Sequence, residues 1–205
     1  MPSLDANIPT SRQPLAPLNM IDQKPSTYIT SLFPGKKRVR ASFAISAPRE
    51  ELVEAYDNDV ARAIRSNDVA ELRELLEEGR SFDGVNRNGE SFLHLACRRG
   101  DLDVVEFLVR EACVNTDVRD SMGRSVLFDV CWRPRLLESF EIMDTLLRVV
   151  SPELLIAEDI RGHSCFDYCR KENHGEWVTF LDKCSVLIQR RSKLVGLLRS
   201  DNLRE

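Results

Sequence analysis

No stretch of this chain approaches the ~20 consecutive apolar residues that a membrane helix needs, so none is expected to span a bilayer. The first twenty residues carry Asp5 and four prolines but no apolar run, which excludes a secretory signal as their reading. No glycine-rich loop is built to cradle phosphate, and no strand-turn-helix elbow presents a nucleophile. These absences argue against an enzyme and against a cofactor. Six cysteines occur in 205 residues, without the crowded framework of a small disulfide-stapled domain. They read as free thiols in the reducing cytosol or nucleus. A formal net charge of −4, with 30% charged and 42% hydrophobic residues, is ordinary for a globular protein. Charge can therefore discriminate only through its distribution.

Proline is unevenly placed. Seven of the nine precede Arg49, among Ser, Thr and Asn clusters that show no sustained periodicity. Such a segment lacks the apolar surface to offset its ordering entropy, so residues 1–47 are expected to form a disordered arm. Within it lies the basic run Lys36-Lys37-Arg38-Val39-Arg40, followed by Ser42. That run reads as an import signal, a phosphate contact or a basic-directed kinase site, or else simply as charges on a solvated arm. Helical patterning begins at Pro48, a residue suited to a first helical turn.

From there the chain repeats itself. Asn86-Arg87-Asn88-Gly89, Asp120-Ser121-Met122-Gly123 and Asp159-Ile160-Arg161-Gly162 are three copies of one turn, with glycines 34 and 39 residues apart. A serine follows each glycine by two positions: Ser91, Ser125 and Ser164. Downstream, Val104-Val105-x-Phe107-Leu108 recurs as Ile142-Met143-x-x-Leu146-Leu147 and as Trp177-Val178-x-Phe180-Leu181. An earlier half-copy, Asp68 to Gly79, slides by 33 residues so that Asn67 lies on Gly100 and Leu75 on Leu108. Apolar spacings of this kind form the stripe of a helix buried on one side.

Turn, short helix, glycine, second helix at a period near 33 resembles the ankyrin repeat. The best copy runs from Asn86 to Val118, where Gly89-x-Ser91-Phe92-Leu93-His94-x-Ala96-Cys97-x-x-Gly100 is similar to the family's G-x-T-P-L-H-x-A-A-x-x-G. The resemblance implies an all-α solenoid of stacked helix pairs joined by short turn hairpins, over residues 48–184. A helix from Pro48 to about Tyr56 would cap its N-terminal end, and a C-terminal helix in 185–205 would cap the other. The sequence departs from the pattern in places. The family proline is Phe92, Val126 or Cys165, the histidine survives only as His94, and about four extra residues fall between the helices of the third repeat, near Pro134 to Ser139.

The resemblance further implies a non-enzymatic protein–protein interaction module, an adaptor or scaffold that binds through turn tips and the concave face of the first helices. Carried onto this sequence, the outward positions that are basic or aromatic are Arg65, Arg87, Arg98, Arg99, Arg124, Trp132, Arg133, Arg161 and Lys171. A basic face on an acidic chain points to an acidic partner segment. Arg98, Arg99, Trp132 and Arg133 fall at its centre, and Arg and Trp are frequent energetic anchors. One alternative is a solvated face paired with nearby Asp and Glu. Another is nucleic acid or anionic membrane, held by the same face or by the tail helix. There Cys184, Leu187, Ile188, Val195 and Leu198 share one side, opposite Arg190, Lys193 and Arg199. Trp132 as a lone aromatic argues against base stacking. Nothing requires a second copy of the chain, so a monomer is the simplest assembly.

Two constellations suggest chemistry and are set aside. His163, Cys165, Cys169 and His174 lack the paired spacing of a closed zinc site, and the repeat register places Cys169 at a buried helix position. Ser91 and His94 have no acid to orient the imidazole, and they suit a helix start better than a nucleophile and base.

Overall fold

The computed structural model describes residues 23–40 and 48–201. The chain opens with α1 (Pro25–Ser31), β1 (Val39–Arg40) and α2 (Glu50–Glu54). Three helix pairs follow: α3 (Asn58–Ser66) with α4 (Val69–Glu77), α5 (Phe92–Arg99) with α6 (Leu102–Arg110), and α7 (Val126–Trp132) with α8 (Leu136–Leu147). A fourth unit comprises β2 (Ala157–Glu158), two 3-10 turns (Cys165–Tyr168 and Lys171–Asn173) and α9 (His174–Asp201). The first helices form one row, α3 on α5 on α7 on the Cys165–Tyr168 turn, and the second helices a row behind them. Each pair exposes an apolar stripe that only a neighbour can cover, so the buried residues from Val60 to Ile188 form one continuous core.

Local signals set the joints. Asn67 and Gly100, in register at a period of 33, end α3 and α5 in the same left-handed conformation (φ 55° and 82°), which an amide or a glycine tolerates best. Ser91 caps α5 by accepting from the His94 amide, while the His94 ring accepts from the Ser91 amide. With Nδ1 so used, Nε2 carries the ring proton and donates to the Arg124 carbonyl at 3.2 Å, tying one repeat to the next. The pair set aside as a nucleophile and base is thus a helix cap.

The structure corrects the sequence reading at three places. The third repeat's extra residues do not lie between its helices, where only residues 133–135 intervene. They lengthen α8 to 12 residues, against 9 in α6, and form the 3-10 turn Pro152–Ile156. Ser139 is compatible with that longer helix because its hydroxyl donates to the Arg135 carbonyl one turn back. Secondly, no break separates 184 from 185: α9 is one helix of 28 residues, and Ile188, Leu187 and Cys184 pack against the core. Its Arg191 donates to the carbonyls of Leu147, the last residue of α8, and of Val150 just past it, a favourable place for a cation.

Thirdly, the folded body begins before Pro48. Helix α1 packs on α9 and on the turns Pro152–Ile156 and Cys165–Tyr168, burying Tyr28, Ile29 and Phe33. It covers the side of the last unit on which a further repeat would stack. β1 runs parallel to β2, Val39 beside Ala157 and Arg40 beside Glu158. The basic run is pinned by Lys36–Glu153 and Arg38–Asp167, both at 3.1 Å. The remainder of the arm, 1–22 and 41–47, lies outside the described residues.

Tyr28 donates to Asp182 at 2.8 Å and Tyr168 to Asp159 at 2.6 Å. Burial, and then the facing carboxylate, raises both phenols, Tyr168 to about 12. A phenol whose folded pKa exceeds its unfolded value of about 10 contributes stability that is complete below pH 10 and lost as pH rises through the folded value. Urea midpoints are expected to fall between pH 10 and 12, and Tyr168→Phe to flatten part of that slope. An unchanged slope in the variant would dissociate the hydroxyl from this titration.

Candidate functional site

The three turn copies are superposable in their bonding. Oδ1 of Asn86, Asp120 and Asp159 accepts from the amides two and four residues on. Adjacent tips are stitched by Ser121 N–H to the Asn88 carbonyl (2.8 Å) and Ile160 N–H to the Met122 carbonyl (3.0 Å). This rigid edge fixes the start of each first helix and so the row of side chains between turns and helices.

A cleft of about 660 Å³ opens on that row. Arg98, Arg99, Arg124, Arg133 and Arg135 line it, with Phe128, Trp132 and Tyr168 as an aromatic wall and Glu90 and Asp129 as its carboxylates. Trp132 is 67% exposed, and its ring lies 5.7 Å from Tyr168, which in turn lies 5.6 Å from Phe128. Five guanidinium groups against two carboxylates leave the lining positive.

Every one of these arginines is anchored within the fold. Arg98 joins Glu90 to Asp129 across the repeat boundary. Arg99 pairs with Asp101, Arg124 with Asp120, and both Arg133 and Arg135 with Glu138. Burial pushes the Glu90 carboxyl up, but hydrogen bonds from Arg98 and Asn86 more than reverse this, so it lies below the ordinary range. At Asp129 burial wins over His94 and Arg98, and the group stays raised. Burial thus eases protonation of Asp129 in acid, while the bonds from Arg98 and Asn86 resist that of Glu90, and any proton taken there makes the cleft more positive.

Of the residues expected from sequence, the cleft brings together Arg98, Arg99, Arg124, Trp132 and Arg133. Arg65, Arg87, Arg161 and Lys171 are exposed but lie outside it. Arg133 needs correction as an outward side chain: only 9% exposed, it donates to the Arg98 carbonyl at the end of α5 (2.8 Å) and to Glu138 (2.7 Å). Its guanidinium fills the space beside Gly100, where a Cβ would overlap it. Phe128, Asp129, Pro134, Arg135 and Tyr168 were missed. The repeat register does carry a signal for Phe128, which stands where the second repeat has His94.

The His/Cys constellation does not converge. His174 Nε2 meets the Cys169 carbonyl at 3.3 Å, while Cys165 and Cys169 are buried beside Cys131. Among the described residues no group of three or more His, Cys, Asp or Glu side chains is placed to hold a metal ion, and no helix is long and apolar enough to cross a membrane.

A rigid solenoid with a lined cleft on its row of first helices defines a repeat-built scaffold. Residues 60–154 match the family model described as ankyrin repeats (3 copies), and this stretch is an ankyrin-repeat array. Ankyrin repeats generally mediate protein–protein interaction, and such domains are typically non-catalytic. The chain is also similar to the eye-specific diacylglycerol kinase of Drosophila melanogaster, 33% identical over 64 residues, 31% of this chain and 4% of that protein. It is 36% identical over 70 residues to the E3 ubiquitin-protein ligase KEG of Arabidopsis thaliana, 34% of this chain and 4% of that one. The chain thus spans about 4% of the length of these relatives.

Proposed function

We propose that this protein is a non-enzymatic adaptor that seats an acidic segment of another protein in the Arg-lined cleft between its second, third and fourth repeats. The supporting observation is Trp132, two-thirds exposed at the rim of a positively lined concavity. An exposed indole beside guanidinium groups is the composition of an interface anchor, and positive lining steers an acidic segment toward it. The tail helix is the weaker seat, since Ile188 and Leu187 already pack against the core.

The test is affinity purification from native extract with the wild type and with Trp132→Ala/Arg135→Glu. Both side chains are well exposed, so circular dichroism and melting should not change. Loss of an anchor of this kind is expected to weaken binding at least tenfold, about 1.4 kcal/mol, and binding by the wild type is expected to fall as salt rises. An undiminished set of bound proteins, or binding that ignores salt, would remove the cleft from this role.

A further inference from the structure

The internal ion pairs of the cleft narrow the kind of acid it takes. The carboxylates holding Arg99, Arg124, Arg133 and Arg135 are Asp101, Asp120 and Glu138, none of which lines the cleft. They grip one edge of each guanidinium and leave another edge unused. Among the described residues, Nη1 of Arg98, both Nη of Arg99, Nη1 of Arg124, and Nε and Nη2 of Arg135 have no protein acceptor. Arg133 links two of these cations, Arg99 and Arg135: it lies over Gly100 beside Arg99 and shares Glu138 with Arg135.

From this arrangement we infer that the acid recognised is a phosphomonoester on a peptide segment, with Arg99 and Arg135 as its principal ligands and Trp132 and Tyr168 packing the flanking residues. A ligand carboxylate duplicates what Asp101 and Glu138 already supply, a single charge on two oxygens, so little is gained by adding one. A phosphomonoester carries nearly two charges on three acceptor oxygens and engages several free guanidinium edges together without displacing the internal partners. A polynucleotide needs a track of cations along its backbone. Arg65, Arg87, Arg161 and Lys171, which would lengthen the site into such a track, lie outside the cleft. The inference rests on the cleft being the binding site for a partner protein.

Full-length protein is to be applied to immobilised degenerate dodecapeptides fixed at the centre with phosphoserine, phosphotyrosine or glutamate. A single-stranded RNA 20-mer and vesicles containing a phosphoinositide run in parallel. Retention by a phosphopeptide pool at least tenfold above the glutamate pool is expected, with displacement by millimolar phenyl phosphate. Arg99→Lys/Arg135→Lys keeps the charge but removes the planar fork, and is expected to lose most of that excess while melting like the wild type. Equal retention by the glutamate pool overturns the phosphoryl inference and leaves the acidic-segment reading standing. Binding to RNA or vesicles in place of peptides overturns it as well. Failure of every pool overturns it too; the native-extract experiment then decides separately whether the cleft binds protein at all.

Discussion

Ile29→Ala is expected to destabilise the protein by about 3 kcal/mol and to lower its melting temperature by roughly 6–12 °C. Ile29 is fully buried, among Tyr28 and Phe33 of the same arm and the last unit of the array. Removing its side-chain atoms beyond Cβ leaves a cavity at an end where the solenoid has no further repeat to cover its core. In a stacked array each unit is supported by its neighbours alone, so the loss should appear first at α9 and the Cys165–Tyr168 turn, as faster amide exchange there than at α3 and α4. Trypsin reports the same event locally. Lys36 and Arg38 are held to Glu153 and Asp167, and cleavage after them should accelerate in the variant. An unchanged melting temperature, with equal cleavage in both proteins, would return residues 25–40 to the disordered arm that their composition suggests.

That arm shows what sequence patterning can and cannot reach. The three turns were legible because each is closed by its own Asn or Asp, glycine and serine within six residues. The caps at Asn67 and Gly100 follow from a single 33-residue slide. Helix α1 has seven residues, shorter than the 11–18-residue window in which helical periodicity can be read. Its apolar side chains gain a purpose only from α9 and the turns of the last unit, far along the chain, as the Tyr28–Asp182 bond across 154 positions illustrates. The candidate site divides on the same principle. Family register brought Arg98, Arg99, Arg124 and Trp132 to one face, since register is a property of the repeat. Their counterions were not legible: Arg98 meets Asp129, 31 positions on, only because adjacent repeats stack. A count of basic residues along the face therefore overstates its charge, whereas the positions of their partners behind or within the cleft determine which donors remain.

Gly100→Ala probes the contact of α5 with the Arg133 guanidinium and is expected to cost about 2–4 kcal/mol. Holding alanine at a positive φ, 82° here, accounts for about 1–2 kcal/mol. The remainder comes from Arg133, whose guanidinium must leave the space the new methyl needs and surrender its bonds to the Arg98 carbonyl and Glu138. Those charge-assisted bonds are individually worth about 1.5–3 kcal/mol, but the displaced group can reach water through the open cleft, so only part is lost. A double-mutant cycle separates the two contributions. In an Arg133→Ala background, itself destabilised, Gly100→Ala should cost only its backbone share, giving a coupling of about 1–2 kcal/mol in urea denaturation. Additive costs would mean that the guanidinium swings aside freely. Arg133 would then be available to a ligand, as its place in the repeat pattern suggests, rather than committed to closing α5 against α8.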